Sequence, residues 1–409
     1  MANTFKTLSD GDIVRRALES FHNKLKFIKT INRQYDSRFA VEGAKNAGTL
    51  LIRDPNEYTV TSGATMSTQD VTETTQTLTL ATQKHVAINL SSVELTLSVD
   101  DFMSRFIDPA MSRLAADVEY TVLSNVYQDV FNLSTNTGTA TDPNTFLAAL
   151  NANTKLSQGL APTNDRHLLM DSVAMAGTVN AVGGYFHKSS ELERAFAEGY
   201  IGEAAGLKWW ESNMVPSHTN GTRTDATPVC NTSSGITSDS ASIVTTGQTS
   251  SQTLTVGDVF TIADVYAVNR ETKQRYSHLQ QFVITAALTA DATDTFTVSP
   301  TPVTSGAKQN VELVSAGAGK AIVHVASGGS GAASGVYTQN LAYHRDAFTF
   351  VSADLHTEPG ARMSRAVSDG ISMRLWRDRD ITNDKFPARL DVLFGYKTIR
   401  PEWACRVRG

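Results

Sequence analysis

Hydrophobic and polar positions change period several times along this chain, and each change predicts a change of structure. Over residues 10–35, Val14, Ala17, Leu18, Phe21, Leu25 and Ile28 recur at helical spacing. With Ser9 or Asp10 placed to cap it, one amphipathic helix is predicted there. From Gly48 to Asp100 the period falls to two. Thr49-Leu50-Leu51-Ile52-Arg53 meets a turn at Asp54-Pro55-Asn56, and Tyr58-Thr59-Val60 follows. Further on, Thr77-Leu78-Thr79-Leu80 and then Val86, Ile88 and Leu90 alternate as half-buried strands do. Residues 61–77 depart from this pattern, with nine Thr or Ser and Val71 as the only branched aliphatic. So little apolar surface cannot build a core, and an isolated hairpin is marginal in water. The stretch is expected to be a long two-stranded excursion that packs on another chain.

The longest apolar stripe lies at 108–131. Asp108 reads as an N-cap and Pro109 as the first helical residue, where a missing N–H costs nothing. Met111, Leu114, Val118, Val122, Val126 and Val130 then line one face, widened by Leu123, Tyr127 and Phe131. At 1.5 Å per residue this predicts a rod roughly 36 Å long. A second helix is predicted from Asp142-Pro143 to about Leu156, a buried strand at 167–170, short helices at 171–182 and 190–198, and a strand near 207–214. The composition then shifts. Residues 217–253 hold 18 Ser or Thr in 37 positions and three charges, Arg223, Asp225 and Asp239, which predicts an irregular segment. Short strands are predicted at 259–268, 281–288, 295–299, 311–315 and 321–326, the spacing of a small β-barrel or sandwich, before the glycine run 328–335. An all-β block set within a mixed α/β chain reads as an inserted domain. Beyond it, 346–353 predicts a strand. Ile371, Met373, Leu375 and Leu390, Val392, Phe394 predict a hairpin with one apolar face, around a turn at Asn383-Asp384.

Composition narrows the function classes. Charged residues make up 19% of the 409, against roughly 25% in an average globular protein. The surface is therefore polar rather than charged. A net charge of -5 argues against a general nucleic-acid binder, which needs a basic face. The charge is unevenly spread: through residue 48, nine Lys or Arg stand against five Asp or Glu, so the N-terminal arm is basic and the remainder acidic. Arg15, Arg16, Lys24 and Lys26 belong to the polar face of the first helix, which is either a solvated surface or a docking site for an acidic partner. With no apolar run of 18 residues and no apolar leader, neither a membrane span nor a signal peptide is expected. Cys230 and Cys405 carry no motif spacing, which fits a reducing place of synthesis.

The search for chemistry finds little. His344-Arg345-Asp346 matches a kinase catalytic-loop triplet, but no glycine-rich loop or metal-binding Asp-Phe-Gly accompanies it. The histidines show no metal-ligand pairing, no serine sits in a nucleophile elbow, and the run 328–335 lacks the lysine of a phosphate loop. No catalytic residue, metal or cofactor is expected. Arg377-Asp378-Arg379-Asp380 alternates charge at a strand end and is expected to form ion pairs with a neighbouring chain. A secreted or surface-layer β-rich adhesin is the alternative that the Ser/Thr-rich β content suggests.

The order of parts resembles the major capsid proteins of tailed bacteriophages, with the fold first named for phage Hong Kong 97. The phrases that carry this are Gly199-Tyr200-Ile201-Gly202 through Leu207, Ser212-Asn213-Met214-Val215-Pro216, Asn340 through Phe348, and Tyr396 through Glu402. The β block between them resembles the inserted domain of the P22-like coat proteins. The resemblance implies an α+β fold with an N-arm (1–46), an E-loop (47–82), a peripheral domain (83–160 and 369–395) with spine helix 108–131, an apical domain (161–215, 337–368 and 396–409) and an inserted β domain (216–336). It further implies self-assembly as hexamers and pentamers into a T=7 icosahedral shell, a scaffolding protein, a portal protein and non-specifically packaged double-stranded DNA. Assembly would occur in the bacterial host cytoplasm, with the virion as final location and no membrane partner.

Overall fold

The computed structural model describes residues 10–35, 49–64, 66, 68–70, 73–91, 106–135, 146–182, 202–223, 228–231, 236–291, 293–314, 319–325, 334–355, 362–378 and 385–408. The predicted helix at 190–198, the start at 142–143, Val71, the turn at 383–384 and residues 199–201 lie outside the described residues. The chain divides into two compact units, coarser than the five parts the resemblance implies.

The first unit comprises Met1–Arg53, Thr75–Val122 and Phe348–Ile399. Its six-stranded sheet runs in the order Asn32–Tyr35, Phe348–Ala353, Lys385–Thr398, Ile371–Arg377, Arg362–Ser368, with Thr82–Ser91 also paired to Lys385–Thr398. The hairpin predicted from Ile371 and Leu390 is present, and all six of its apolar residues are buried. The strand Arg362–Ser368 was not predicted; its half-exposed, mixed sequence lacks a clean alternation. The N-terminal helix Asp10–Lys24 packs against this pair of strands. Its stripe is buried as expected, through Val14, Ala17, Leu18 and Phe21 and on to Leu25 and Ile28. One continuous helix to residue 35 is not found. The chain breaks at Leu25-Lys26, restarts as the single turn Phe27–Thr30, and then joins the sheet as a parallel strand beside Phe348–Ala353.

The spine helix is Asp108–Val126, five residues shorter than the predicted 108–131. A 3-10 turn at Tyr127–Asp129 ends it, after which Val130 and Phe131 are extended. Every stripe residue from Met111 to Phe131 is buried. Periodicity could not mark the end, because Val130 and Phe131 meet apolar surroundings either way.

The second unit comprises Asp54–Thr74, Leu123–Ala347 and Arg400–Gly409. It holds a mixed sheet ordered Leu133–Thr135, Ala404–Arg408, Asn340–His344, Arg166–Met170, Leu207–Glu211, Glu203–Ala204. Its three central strands are buried at every position, as strands covered on both faces must be. The helix Phe146–Gln158 covers one part of it, through Ala148, Ala149, Ala152 and Leu156.

The same unit contains a seven-stranded antiparallel sheet, ordered Val229–Cys230, Ser242–Thr246, Thr293–Ser299, Arg275–Ile284, Val259–Val268, Val311–Leu313, with Ile322–His324 also on Val259–Val268. Phe260, Phe282 and Phe296 meet at its centre, with ring centroids 5.6–5.8 Å apart. A register shift after Thr261, where Asp264 adopts a φ of +63°, lets one long strand serve two short partners. The irregular segment predicted at 217–253 is corrected here. Cys230, Ile236 and Ile243 all enter the core of this sheet, together with Leu254 just beyond the segment. The predicted strand 281–288 begins earlier, as Arg275–Ile284. Before and after the block, Ser217–Thr219 and Val336–Thr338 pair antiparallel as a two-stranded ribbon.

Candidate assembly surfaces

Arg15, Arg16, Lys24 and Lys26 are all exposed, on the side of the arm opposite its buried stripe. Lys24 ends the helix, where a cation complements the helix dipole. The arm is fastened by a small ionic cluster. Asp369 Oδ2 lies 2.7 Å from His22 Nε2 and 2.6 Å from Arg33 Nη1. Asp369 and Gly370 form the tight turn between two strands with φ of +49° and +78°. One aspartate thus makes the turn and anchors the arm. Burial alone would raise its carboxyl, but the hydrogen bonds from Arg33 and His22 hold it below the usual range. A groove beside this cluster is lined by Arg15, Glu19, His22 and Asp369.

Glu119 explains why the arm breaks. This buried spine carboxylate accepts the N–H groups of Lys26 at 3.1 Å and Phe27 at 2.7 Å. In a continuous helix those N–H groups would bond backward to carbonyls of the previous turn, and a carboxylate is the stronger acceptor. Burial raises the Glu119 pKa, opposed by the Phe27 and Lys26 N–H bonds and the Lys26 charge. Glu119→Ala is expected to destabilise the subunit by about 1.5–3 kcal/mol, as loss of hydrogen bonds to a charged group does. Glu119→Gln keeps one acceptor and should lose less. Equal urea midpoints for Glu119→Ala and the parent chain would remove the carboxylate from this role.

The strands Thr49–Arg53 and Thr75–Thr79 pair antiparallel and carry the excursion 54–74. At its base Asp54 N–H donates to Thr74 O at 2.9 Å. Further out, Thr59 N–H donates to Gln69 Oε1 at 2.9 Å and the Gln69 amide returns a bond to Thr59 O. Polar pairs therefore shape the excursion, while its apolar side chains face outward: Val60 is 93% exposed, Met66 85% and Tyr58 62%.

Of the charge alternation Arg377-Asp378-Arg379-Asp380, Arg377 closes the strand Ile371–Arg377 and Asp378 is exposed, its N–H bonded to Pro387 O. Arg379 and Asp380 lie outside the described residues. Sequence reasoning missed a neighbouring ionic group. Asp391, fully buried mid-strand, accepts from Arg374 Nη2 at 2.7 Å and from Arg389 Nε. A carboxylate between Leu390 and Val392, with arginines two residues away and on the partner strand, was the available signal.

The kinase-like triplet is a turn: His344 Nδ1 accepts Asp346 N–H at 3.2 Å and the ring packs edge-on to Trp403. Both cysteines are buried and unpaired, and burial pushes their thiols up, Cys230 to about 11 and Cys405 to about 12. Neither is reactive at neutral pH. Among the described residues, no group of His, Cys, Asp or Glu could hold a metal, and no helix is long and apolar enough to cross a membrane.

Residues 1–407 match the family described as P22 coat protein, gene protein 5. This chain belongs to that family. The coat protein is therefore structural and not an enzyme, and its place is the virion. Among solved structures it is similar to a chain of Mycobacterium phage Che8, with 12% identity over 93% of this chain and 90% of that one and a TM-score of 0.45. It is also similar to the capsid of the cyanophage P-SCSP1u, with 10% identity over 100% and 91% of the two chains and a TM-score of 0.43. The capsid of Ralstonia phage GP4 gives 8% identity over 91% and 83%, with a TM-score of 0.44. No curated protein matches the sequence.

Proposed function

We propose that this coat protein assembles with its own copies, as hexamers and pentamers, into an icosahedral procapsid and then the mature shell around the packaged double-stranded DNA of a tailed phage. The observation that carries the reading is the excursion 54–74. It displays Tyr58, Val60 and Met66 to solvent on a frame of polar bonds, which suits a strand pair laid across an adjacent subunit. Deleting residues 58–70 should leave the thermal midpoint of the unassembled subunit within about 2 °C of the parent, because few buried contacts are lost. The same deletion should abolish shells in negative-stain micrographs. A deletion that unfolds the subunit would place the loop in the core and end this reading.

The Hong Kong 97 layout with an inserted domain at 216–336 is part of the proposal. Its support is the ribbon of Ser217–Thr219 with Val336–Thr338, which brings the ends of the block together, and a main hydrophobic cluster drawn from residues 230–322, while Val259 and Val283 pack with Phe131 and Leu133. A T=7 shell, scaffolding and portal partners, non-specific contact with packaged DNA and assembly in the host cytoplasm belong to the same reading. Arg377, Asp378, Arg379 and Asp380 are assigned to ion pairs between subunits.

The arm's exposed cations are the proposed docking site for an acidic surface of the scaffold or a neighbouring subunit. Replacing Arg15, Arg16, Lys24 and Lys26 with Gln should lower procapsid yield at least several-fold with little change in melting. Raised salt should mimic the change in the parent, since exposed charges are screened within about 8–10 Å at physiological ionic strength. Yields indifferent to both treatments would return the face to simple solvation.

A further inference from the structure

Asp258, in the second unit, lies at the centre of a buried charge cluster. Its carboxylate has no solvent exposure, and both of its oxygens are engaged. His218 Nε2 lies 3.0 Å from Oδ1, while the N–H groups of Gly221 and Thr255 donate to Oδ2 at 3.2 and 3.0 Å. Arg223 Nη1 stands 2.8 Å from Oδ2. Tyr127 Oη lies 3.2 Å from His218 Nδ1, and its O–H donates there when the imidazole proton is on Nε2, facing Asp258. Burial alone would raise the Asp258 carboxyl; the His218 bond, the Arg223 charge and the Thr255 N–H instead hold it far below the usual range.

Two further guanidinium groups are buried within reach of that charge. Arg406 lies over the Tyr127 ring and donates to Gly257 O at 2.7 Å. Arg408 stacks 4.4 Å over Tyr337 and donates to Val325 O at 2.9 Å. Among the described residues this leaves Nε and Nη2 of Arg223, Nε and Nη2 of Arg406 and Nε of Arg408 buried without a hydrogen-bond partner. Burial lowers Arg406 to about 9 and Arg408 to about 10, so both stay cationic at neutral pH. His324 beside them is pushed down to about 3 by burial and the Arg223 charge, and is neutral. Three guanidinium charges are therefore set against the single negative charge of Asp258. Water would satisfy the N–H groups but would leave two buried positive charges uncompensated, a costly arrangement in a low-dielectric interior.

We propose that Arg223, Arg406 and Arg408 together bind one small inorganic anion. Two excess charges match a phosphate dianion, and chloride would meet half of the demand. Arg406 and Arg408 belong to the last strand of the mixed sheet, whereas Arg223, Asp258 and His324 belong to the segment 217–336. A bound anion would pin that segment to the sheet by charge-assisted bonds. The inference concerns the unassembled subunit and does not rest on the assembly reading.

The test is the melting midpoint of the full-length unassembled protein at fixed pH and ionic strength. Sodium phosphate, and in a second arm sodium chloride, replaces a bulky organic sulfonate salt. A ligand that binds only the folded state raises the midpoint with a saturable dependence on its concentration. The parent chain should show such a rise with phosphate, chloride or both. Arg408→Met keeps an apolar contact with Tyr337 and removes one charge, and its apparent affinity should fall at least tenfold. Arg223→Met serves the same purpose if Arg408→Met does not fold. A parent midpoint indifferent to both anions overturns the proposal. So does a variant that responds as the parent does, because the effect would then be a general salt effect on the surface.

Discussion

Asp391→Ala should leave the coat protein largely insoluble on expression, with a loss of about 3–5 kcal/mol, the range seen when one partner of a buried ion pair is removed. The argument is electrostatic. Asp391 has no exposed surface and serves two guanidinium groups, Arg374 with 11% side-chain exposure and Arg389 with 35%. Truncating the carboxylate removes the buried countercharge that lies 2.7 Å from Arg374 Nη2. Since whole domains are stable by only about 5–15 kcal/mol, such a loss is a large share of the total. Asp391→Asn retains an acceptor and should be milder. Replacing Asp391, Arg374 and Arg389 together by apolar residues of similar volume should recover much of the stability, because no orphaned charge remains. Urea midpoints of the three variants give the ordering, and an Asp391→Ala midpoint equal to the parent's would show that the ladder carries no stability.

The second large effect is expected at Val122. This residue sits in the buried stripe of the spine helix, between Val118 and Val126, and has no exposed surface. Val122→Asp places a carboxylate among aliphatic side chains, at a cost of several kcal/mol, roughly, unless the group takes up a proton. Insoluble protein is the expected result at neutral pH. Glu119, one turn earlier, shows what the fold requires of a carboxylate in this helix, since it is tolerated only with two backbone N–H groups aimed at it. Soluble, assembling Val122→Asp would mean that the stripe faces elsewhere.

These examples show what could be read from the sequence and what could not. Apolar stripes were legible in full: the residues named for the arm, the spine and the late hairpin are the buried ones. Helix ends were not, because burial continues through extended chain at Val130 and because the arm's break depends on Glu119, more than 90 residues away in sequence. Glu119 itself carried a signal. It lies between Ala115 and Leu123 on the buried side of the helix, where a carboxylate needs donors from another element. By alternation Asp391 reads as a solvent-facing position, whereas its side chain is fully buried. The segment 217–253 misled through composition. Ser and Thr there were taken as a sign of irregular chain, yet threonine also favours strands, and Thr245 is buried beside Ile243 with its hydroxyl bonded to Asp294 O. Helical period alone sets Arg15, Arg16, Lys24 and Lys26 apart from their apolar neighbours Val14, Ala17, Leu18, Leu25 and Phe27, and all four are exposed.

The ribbon of Ser217–Thr219 with Val336–Thr338 brings the two ends of the β block side by side. Beyond the ribbon the block is also held to the mixed sheet by side chains: Arg406 donates to Gly257 O, Arg408 donates to Val325 O, and Val259 and Val283 pack with Leu133. Closing a longer loop costs little more than closing a short one, about 0.6 kcal/mol for each doubling of length. Longer insertions within the block's own turns would therefore cost the ribbon little, whereas exchange of the whole block would strand the buried guanidinium groups of Arg406 and Arg408. A subunit built this way can carry a passenger on an exposed turn of the block, as at Gly306, where nothing crowds the backbone, with the block itself left in place.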